Sequence, residues 1–139
     1  MLPIYKLTVK NYTPKTSHSQ KDTPRKAELR EIIKQQNNSI EEIKRGCRGK
    51  NLSLDITFKL YDSNDGTAYK TDLDNLLKIL LDVLKEKNSD NSITYDGIGI
   101  IQDDHDYLIH EIKCKKEIVH EMPEAGFTIK ISEFHSNKT

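Results

Sequence analysis

A chain of 139 residues buries one hydrophobic core comfortably and two poorly, so a single domain spanning 1–139 is expected. Its 22 Lys/Arg and 22 Asp/Glu cancel, which sets it apart from the strongly basic domains that usually bind nucleic acid. The cancellation hides an asymmetry. Residues 1–50 carry twelve Lys/Arg against five Asp/Glu, net +7, and residues 51–139 carry ten against seventeen, net −7. That distribution suits an anion-holding surface beside a cation site, and equally two halves that attract each other.

Cys47 and Cys114 are the only cysteines. With no CxxC and no framework spacing they read as free thiols of a reducing compartment. MLPIYKLTVK alternates instead of forming a continuous apolar run, so it is read as a strand and not a leader. The oiliest stretch, LLKILLDVL, is broken by Lys78 and Asp82 and is too short to span a bilayer. The expectation is a soluble, cytoplasmic protein with no membrane partner.

In chain order, Ile4–Val9 reads as a first strand and 11–23 as a polar, flexible loop around Pro14. Thr23-Pro24 opens a helix with Leu29, Ile32 and Ile33 as its apolar stripe, polar Gln35–Asn38 beyond it, and Ile40 and Ile43 continuing it after a break. KRGCRGK (44–50) is basic and glycine-rich, an exposed loop. Leu52, Leu54, Ile56 and Phe58 alternate as a half-buried strand, and Ser63–Gly66 is a turn. Leu73, Leu76, Leu77, Leu80, Leu81 and Leu84 place one apolar face on the clearest helix, with Asp74, Lys78, Asp82 and Glu86 on the other. A flexible loop follows over 85–97, then the short apolar run GIGII before Asp103-Asp104. Strands are expected around Tyr107–Val119 and Phe127–Phe134. Strands flanking helices give a mixed α/β (α+β) class, one small mixed sheet with two main helices packed on it.

Asp72 and Asp74 straddle the start of the leucine helix. If Asp72 is extended and Asp74 begins the helix, both carboxylates point past one end of the element while Leu73 turns inward. A helix N-terminus stabilises aspartates, so capping and a ladder of surface ion pairs over Asp74, Lys78 and Asp82 is one account of them. The other account adds Asp103 and Asp104. Hard divalent cations take carboxylate oxygens, and magnesium keeps several waters and needs few protein ligands. Two aspartates from one element and one from a neighbouring strand meet that need. Lys78, one turn beyond Asp74, would then offset charge on a metal-bound phosphate. Other metal chemistry fits less well: with Gly66 as the EF-hand glycine, the loop would begin at Tyr61, and His105, His110, Cys114 and His120 lack zinc-finger spacing. GxxxxGK[ST], GxGxxG and GxSxG are all absent.

TDLDNLLKILLDVL followed by GIGIIQDDHD resembles the signature of the RusA-type Holliday junction resolvases: Asp-Leu-Asp-Asn, a lysine three residues after the asparagine, and Asp-Asp after a short apolar strand. The match covers about residues 70–106. The resemblance implies a RusA-like fold and a homodimeric, magnesium-dependent endodeoxyribonuclease of DNA recombination and repair. Such an enzyme resolves four-way junctions by paired symmetric nicks, and manganese is expected to substitute for magnesium. Carried over by position, Asp72, Asp74 and Asp104 are the implied metal ligands, with Asp103 a further candidate. Lys78 is the implied essential lysine, and Asn75 bonds a ligand carboxylate or caps the helix. Lys70, Asn75, Lys44, Arg45, Arg48 and Lys50 are the candidate DNA contacts. Two alternatives stay open: a catalytically silent DNA-binding or interaction subunit of the same fold, and a broader nuclease for flaps and branched DNA.

Overall fold

Alternating residues build the sheet, and it is the sheet that decides where the helices go. The structure, a computed structural model, describes residues 5–14, 22–85, 87–90, 93–101 and 106–135. Its elements are β1 (Tyr5–Lys10), α1 (Asp22–Gln36), α2 (Ile40–Cys47), β2 (Leu52–Tyr61), α3 (Leu73–Leu84), β3 (Lys87–Asp90), β4 (Ile93–Asp96), β5 (Ile109–Val119) and β6 (Gly126–Glu133). The main sheet runs β1-β6-β2-β5. β6 pairs antiparallel with both β1 and β2, whereas β2 and β5 are parallel. The class is mixed α+β, as the alternation of strand and helix patterns implies.

β2 shows why one face is covered. Leu52, Leu54, Ile56, Phe58 and Leu60 are all buried, while the residues between them are not. Period-two alternation puts those five on one side of the sheet, where they meet Leu7 and Val9 of β1, Phe127, Ile129 and Ile131 of β6, and the helices. The core includes Leu29 and Ile33 of α1 and Ile43 of α2.

Several expectations are corrected. The basic tract 44–50 is not all loop: Lys44–Cys47 form the last turn of α2, with Ile43 and Cys47 buried, because Ile40, Ile43 and Cys47 recur at helical spacing. α2 is therefore a third helix beside the two expected. Within 85–97, the chain forms the antiparallel pair β3–β4, with Lys87 opposite Asp96 and Asp90 opposite Ile93; Thr94 and Tyr95 supply strand propensity that a purely polar reading of this segment overlooks. The buried side of α3 is Leu76, Ile79, Leu80, Val83 and Leu84, whereas Leu73, Leu77 and Leu81 are only partly buried at its flank. Both rows repeat at helical spacing, and the β-branched residues turn out to lie on the inner one.

Gly97–Ile101 is not a strand beyond a single parallel bridge from Ile101 to Lys85. It closes the C-terminal end of α3 instead. Ile98 N–H donates to Val83 O (2.8 Å), Ile101 N–H to Leu84 O (3.0 Å) and Gly99 N–H to Lys85 O (3.2 Å). Terminal helix carbonyls otherwise lacking partners are satisfied this way. A Cβ at Gly97 would run into the carbonyl oxygen of Lys85, so this close approach needs glycine.

Two side-chain amides finish the outer edge of the sheet. Asn37 accepts from Thr8 N–H and donates to Thr8 O (both 3.1 Å), and Gln36 does the same for Lys10 (2.8 and 2.9 Å). The polar QQN run at the end of α1 thus stands where another strand would pair. Between the helices, Lys26 of α1 meets Asp82 of α3 at 2.9 Å, with the lysine almost fully buried.

The position of the inner row of α3 gives a direct check. Ile79→Ala should cost about 2–5 kcal/mol, and Leu77→Ala less, in chemical denaturation of the two variants.

Candidate functional site

β2 and β5 lie side by side and parallel, so the chain must cross over between them, and α3 forms part of that crossover. Its N-terminus consequently falls toward the carboxyl ends of the strands, where open sheets commonly place ligands. Asp72 is extended (φ −78°, ψ 116°) and caps the helix, its Oδ1 accepting from Asp74 N–H at 2.9 Å. Asn75 Nδ2 donates to Asp72 Oδ2 at 3.4 Å, so of the two roles expected for it the contact with the Asp72 carboxylate is present, while the cap itself is Asp72. Asp72, Asp74 and Asn75 are all exposed.

Eleven residues join β2 to α3, and charged groups organise them from two sides. Asp62, only 3% exposed, gathers backbone donors. Its Oδ2 accepts from the N–H groups of Asn64 (3.1 Å) and Gly66 (3.4 Å), and its Oδ1 from Ala68 (3.2 Å). Lys116 of β5 gathers acceptors: its Nζ donates to Tyr69 O and Thr71 O, each at 2.8 Å. Asp65 closes a smaller turn on Thr67 N–H (2.9 Å), and that backbone donor, followed by the Thr67 hydroxyl, holds its carboxyl below the ordinary range.

Asp74 faces β5. Burial raises the Cys114 thiol above its usual range, and the negative charge of Asp74 adds to the effect. Cys47, at the other end of β2, is pushed up to about 11 by burial, against the opposing pull of Lys50. The two thiols are free, and neither is electrostatically primed as a nucleophile.

The other candidates distribute as follows. Lys78 is exposed one turn beyond Asp74 and forms no ion pair among the described residues. The proposed ladder Asp74–Lys78–Asp82 is therefore replaced at its far end by the Lys26–Asp82 pair. Lys70 is exposed at the end of a short 3-10 turn, Ala68–Lys70, two residues before Asp72. Lys44, Arg45, Arg48 and Lys50 lie at the amino end of β2, a ten-residue strand of roughly 30 Å, and so are separated from the acidic pair. Lys44 pairs with Glu41 (3.3 Å) and Lys50 with Glu133 (3.7 Å).

Asp103 and Asp104 lie outside the described residues. The last described residue before them, Ile101, is bonded to Leu84 O at the C-terminal end of α3, about 18 Å along a twelve-residue helix from Asp72. Among the described residues there is no group of three His, Cys, Asp or Glu side chains placed to hold a metal. The described pair nevertheless fits a hard cation in chemistry: two exposed carboxylates, two residues apart at the positive end of a helix, with Asn75 steadying the first. Magnesium bound by one or two carboxylates, water and a substrate phosphate asks for no more protein than this.

Sequence reasoning missed Lys116 and Asp62. Lys116 carried a readable signal, since in Cys114-x-Lys116-x-Ile118 it occupies the core-facing position of an alternating strand. Asp62 carried none beyond its place before a turn.

No family model matches the chain, and no curated protein is a match. Among the described residues no helix is long and apolar enough to cross a membrane.

If Asp62 organises the connection as described, Asp62→Ala strands three backbone donors, one of them on buried Ala68. The variant should lose about 1–3 kcal/mol, and hydrogen exchange should show faster exchange at Asn64, Gly66 and Ala68 with the β2–β6 amides unchanged.

Proposed function

We propose that this protein is a magnesium-dependent endonuclease of the RusA type that cuts four-way DNA junctions as a homodimer. One observation carries the reading. Asp72 and Asp74 present exposed carboxylates at a single helix end, with Asn75 bonded to the first of them and an exposed Lys78 one turn further along. The same four residues carry the Asp-Leu-Asp-Asn-x-x-Lys resemblance.

In this reading Asp72 and Asp74 would hold the metal, and Asp104, outside the described residues, enters as third ligand from the resemblance alone. Bound magnesium would supply Lewis-acid polarisation of the scissile phosphate and lower the pKa of water for attack. The remaining tasks belong to the chain. Asn75 holds the orientation of Asp72, while the Lys78 ammonium sits where charge builds on the phosphoryl oxygens. Lys70 is placed to meet a neighbouring phosphate, and a two-fold dimer would present one such site to each of two opposed strands of a two-fold junction. The basic tract 44–50 is too far from Asp72 to serve the same phosphate, and in this reading it contacts a more distant part of the arms.

The test uses purified protein with a mobile four-way junction, a flap and a plain duplex, each with Mg²⁺ or EDTA. Symmetric nicking of the junction is expected with Mg²⁺ and none with EDTA. Asp74→Asn should abolish nicking while leaving junction binding intact, and Lys78→Ala should lower kcat about 10²–10³-fold, as for other groups that stabilise developing charge. Equal cutting of the flap would point to a general branched-DNA nuclease. Junction binding with no metal-dependent nicking in the wild type would leave the silent subunit.

A further inference from the structure

The Lys116 ammonium has no part in the signature, yet it touches the chain immediately ahead of Asp72. Lys116 lies opposite Phe58 in the β2–β5 register and therefore on the helix-covered face, where a lysine is unusual. It is half-buried there, and its ammonium donates to both Tyr69 O and Thr71 O at 2.8 Å. These distances are those of charge-assisted bonds. Holding the Thr71 carbonyl fixes the plane of the peptide between Thr71 and Asp72. Holding Tyr69 as well fixes the end of the 3-10 turn, so the chain enters α3 in one direction. The Asp72 carboxylate then falls on Asp74 N–H. Without that anchor, two exposed carboxylates two residues apart would repel each other and spread.

We propose that Lys116 is the positioning residue of the acidic pair: its ammonium, reaching across from β5, sets the approach of the chain to α3 and thereby keeps Asp72 and Asp74 at a spacing that suits one divalent cation. Its two described partners are backbone carbonyls, so it acts through Asp72 and not on substrate. The inference rests on the reading of Asp72 and Asp74 as metal ligands.

The experiment compares wild type with Lys116→Met, which keeps the length and removes the donors, and Lys116→Arg, which restores a cationic donor. Two readouts are taken on metal-free protein and on protein titrated with Mn²⁺: amide exchange of residues 69–75, and Mn²⁺ affinity by calorimetry. Lys116→Met is expected to exchange faster at Asp74, to keep the protection of β2 and β6, and to bind Mn²⁺ about 10–100-fold more weakly, as when a ligand loses its supporting partner. Lys116→Arg is expected to recover most of both. Should Lys116→Met not fold, Lys116→Leu, which also removes the donors, is read by the same criteria. Unchanged Asp74 exchange and unchanged Mn²⁺ affinity in a folded variant would overturn the proposal. So would a loss that Lys116→Arg fails to repair. Asp72→Asn with Asp74→Asn separates the two layers. If that double variant binds Mn²⁺ as wild type does, or wild type binds none, the metal reading is what fails, and the positioning role falls with it even where Asp74 exchange responds to Lys116.

Discussion

Parallel neighbours in a sheet cannot be joined by a tight turn, and the pairing of β2 with β5 imposes that constraint on everything that matters here. The chain leaves β2 at its carboxyl end and must come back to start β5 at the other. Part of the return is α3, whose inner row of Leu76, Ile79, Leu80, Val83 and Leu84 is buried against the core. The start of α3 is therefore delivered to the end of the strands where the eleven-residue connection lies. Any chemistry at that helix start inherits its position from a strand pairing.

Capping and metal binding are often set against each other as explanations of an acidic helix start. At Asp72 they are compatible. One carboxylate oxygen accepts from Asp74 N–H and the other from Asn75, and each retains lone-pair capacity. The cap fixes the rotamer, and a fixed rotamer is what a ligand requires. The same economy appears in the connection before it. An anion, Asp62, collects backbone donors, and a cation, Lys116, collects backbone acceptors. Neither contact involves the signature residues; together they order the connection that leads to them.

The main strands and α3 were legible because their patterns are strong: alternation in Leu52–Phe58, and leucines at helical spacing from Leu73. The start of the site was legible for the same reason, since Asp72 as extended cap and Asp74 inside the helix follow from where the apolar period begins. What escaped was decided by partners distant in sequence. Ile79 and Val83 lie on the inner row of α3 beside leucines that would fill an apolar face equally well, so periodicity alone does not rank them. Residues 87–90 and 93–96 read as loop because polar residues dominate their composition, although they pair as two short antiparallel strands. The basic tract was grouped with the acidic pair as DNA contacts although the legible strand from Leu52 lies between them, and the ten-residue extent of that strand is what holds them apart. Lys116 was visible only as a lysine out of place in an alternating strand, and its carbonyl partners lie 45 and 47 positions earlier.

The carboxamides of Gln36 and Asn37 have a consequence for how this molecule meets copies of itself. By occupying the outward N–H and C=O groups of Thr8 and Lys10, they deny a foreign strand the template that β1 would otherwise offer. Sheet-to-sheet polymerisation from that flank must first evict two amides anchored at the end of α1. Edge pairing is thus opposed there by a pair of carboxamides that work beside the exposed Lys6 and Lys10 of the same strand.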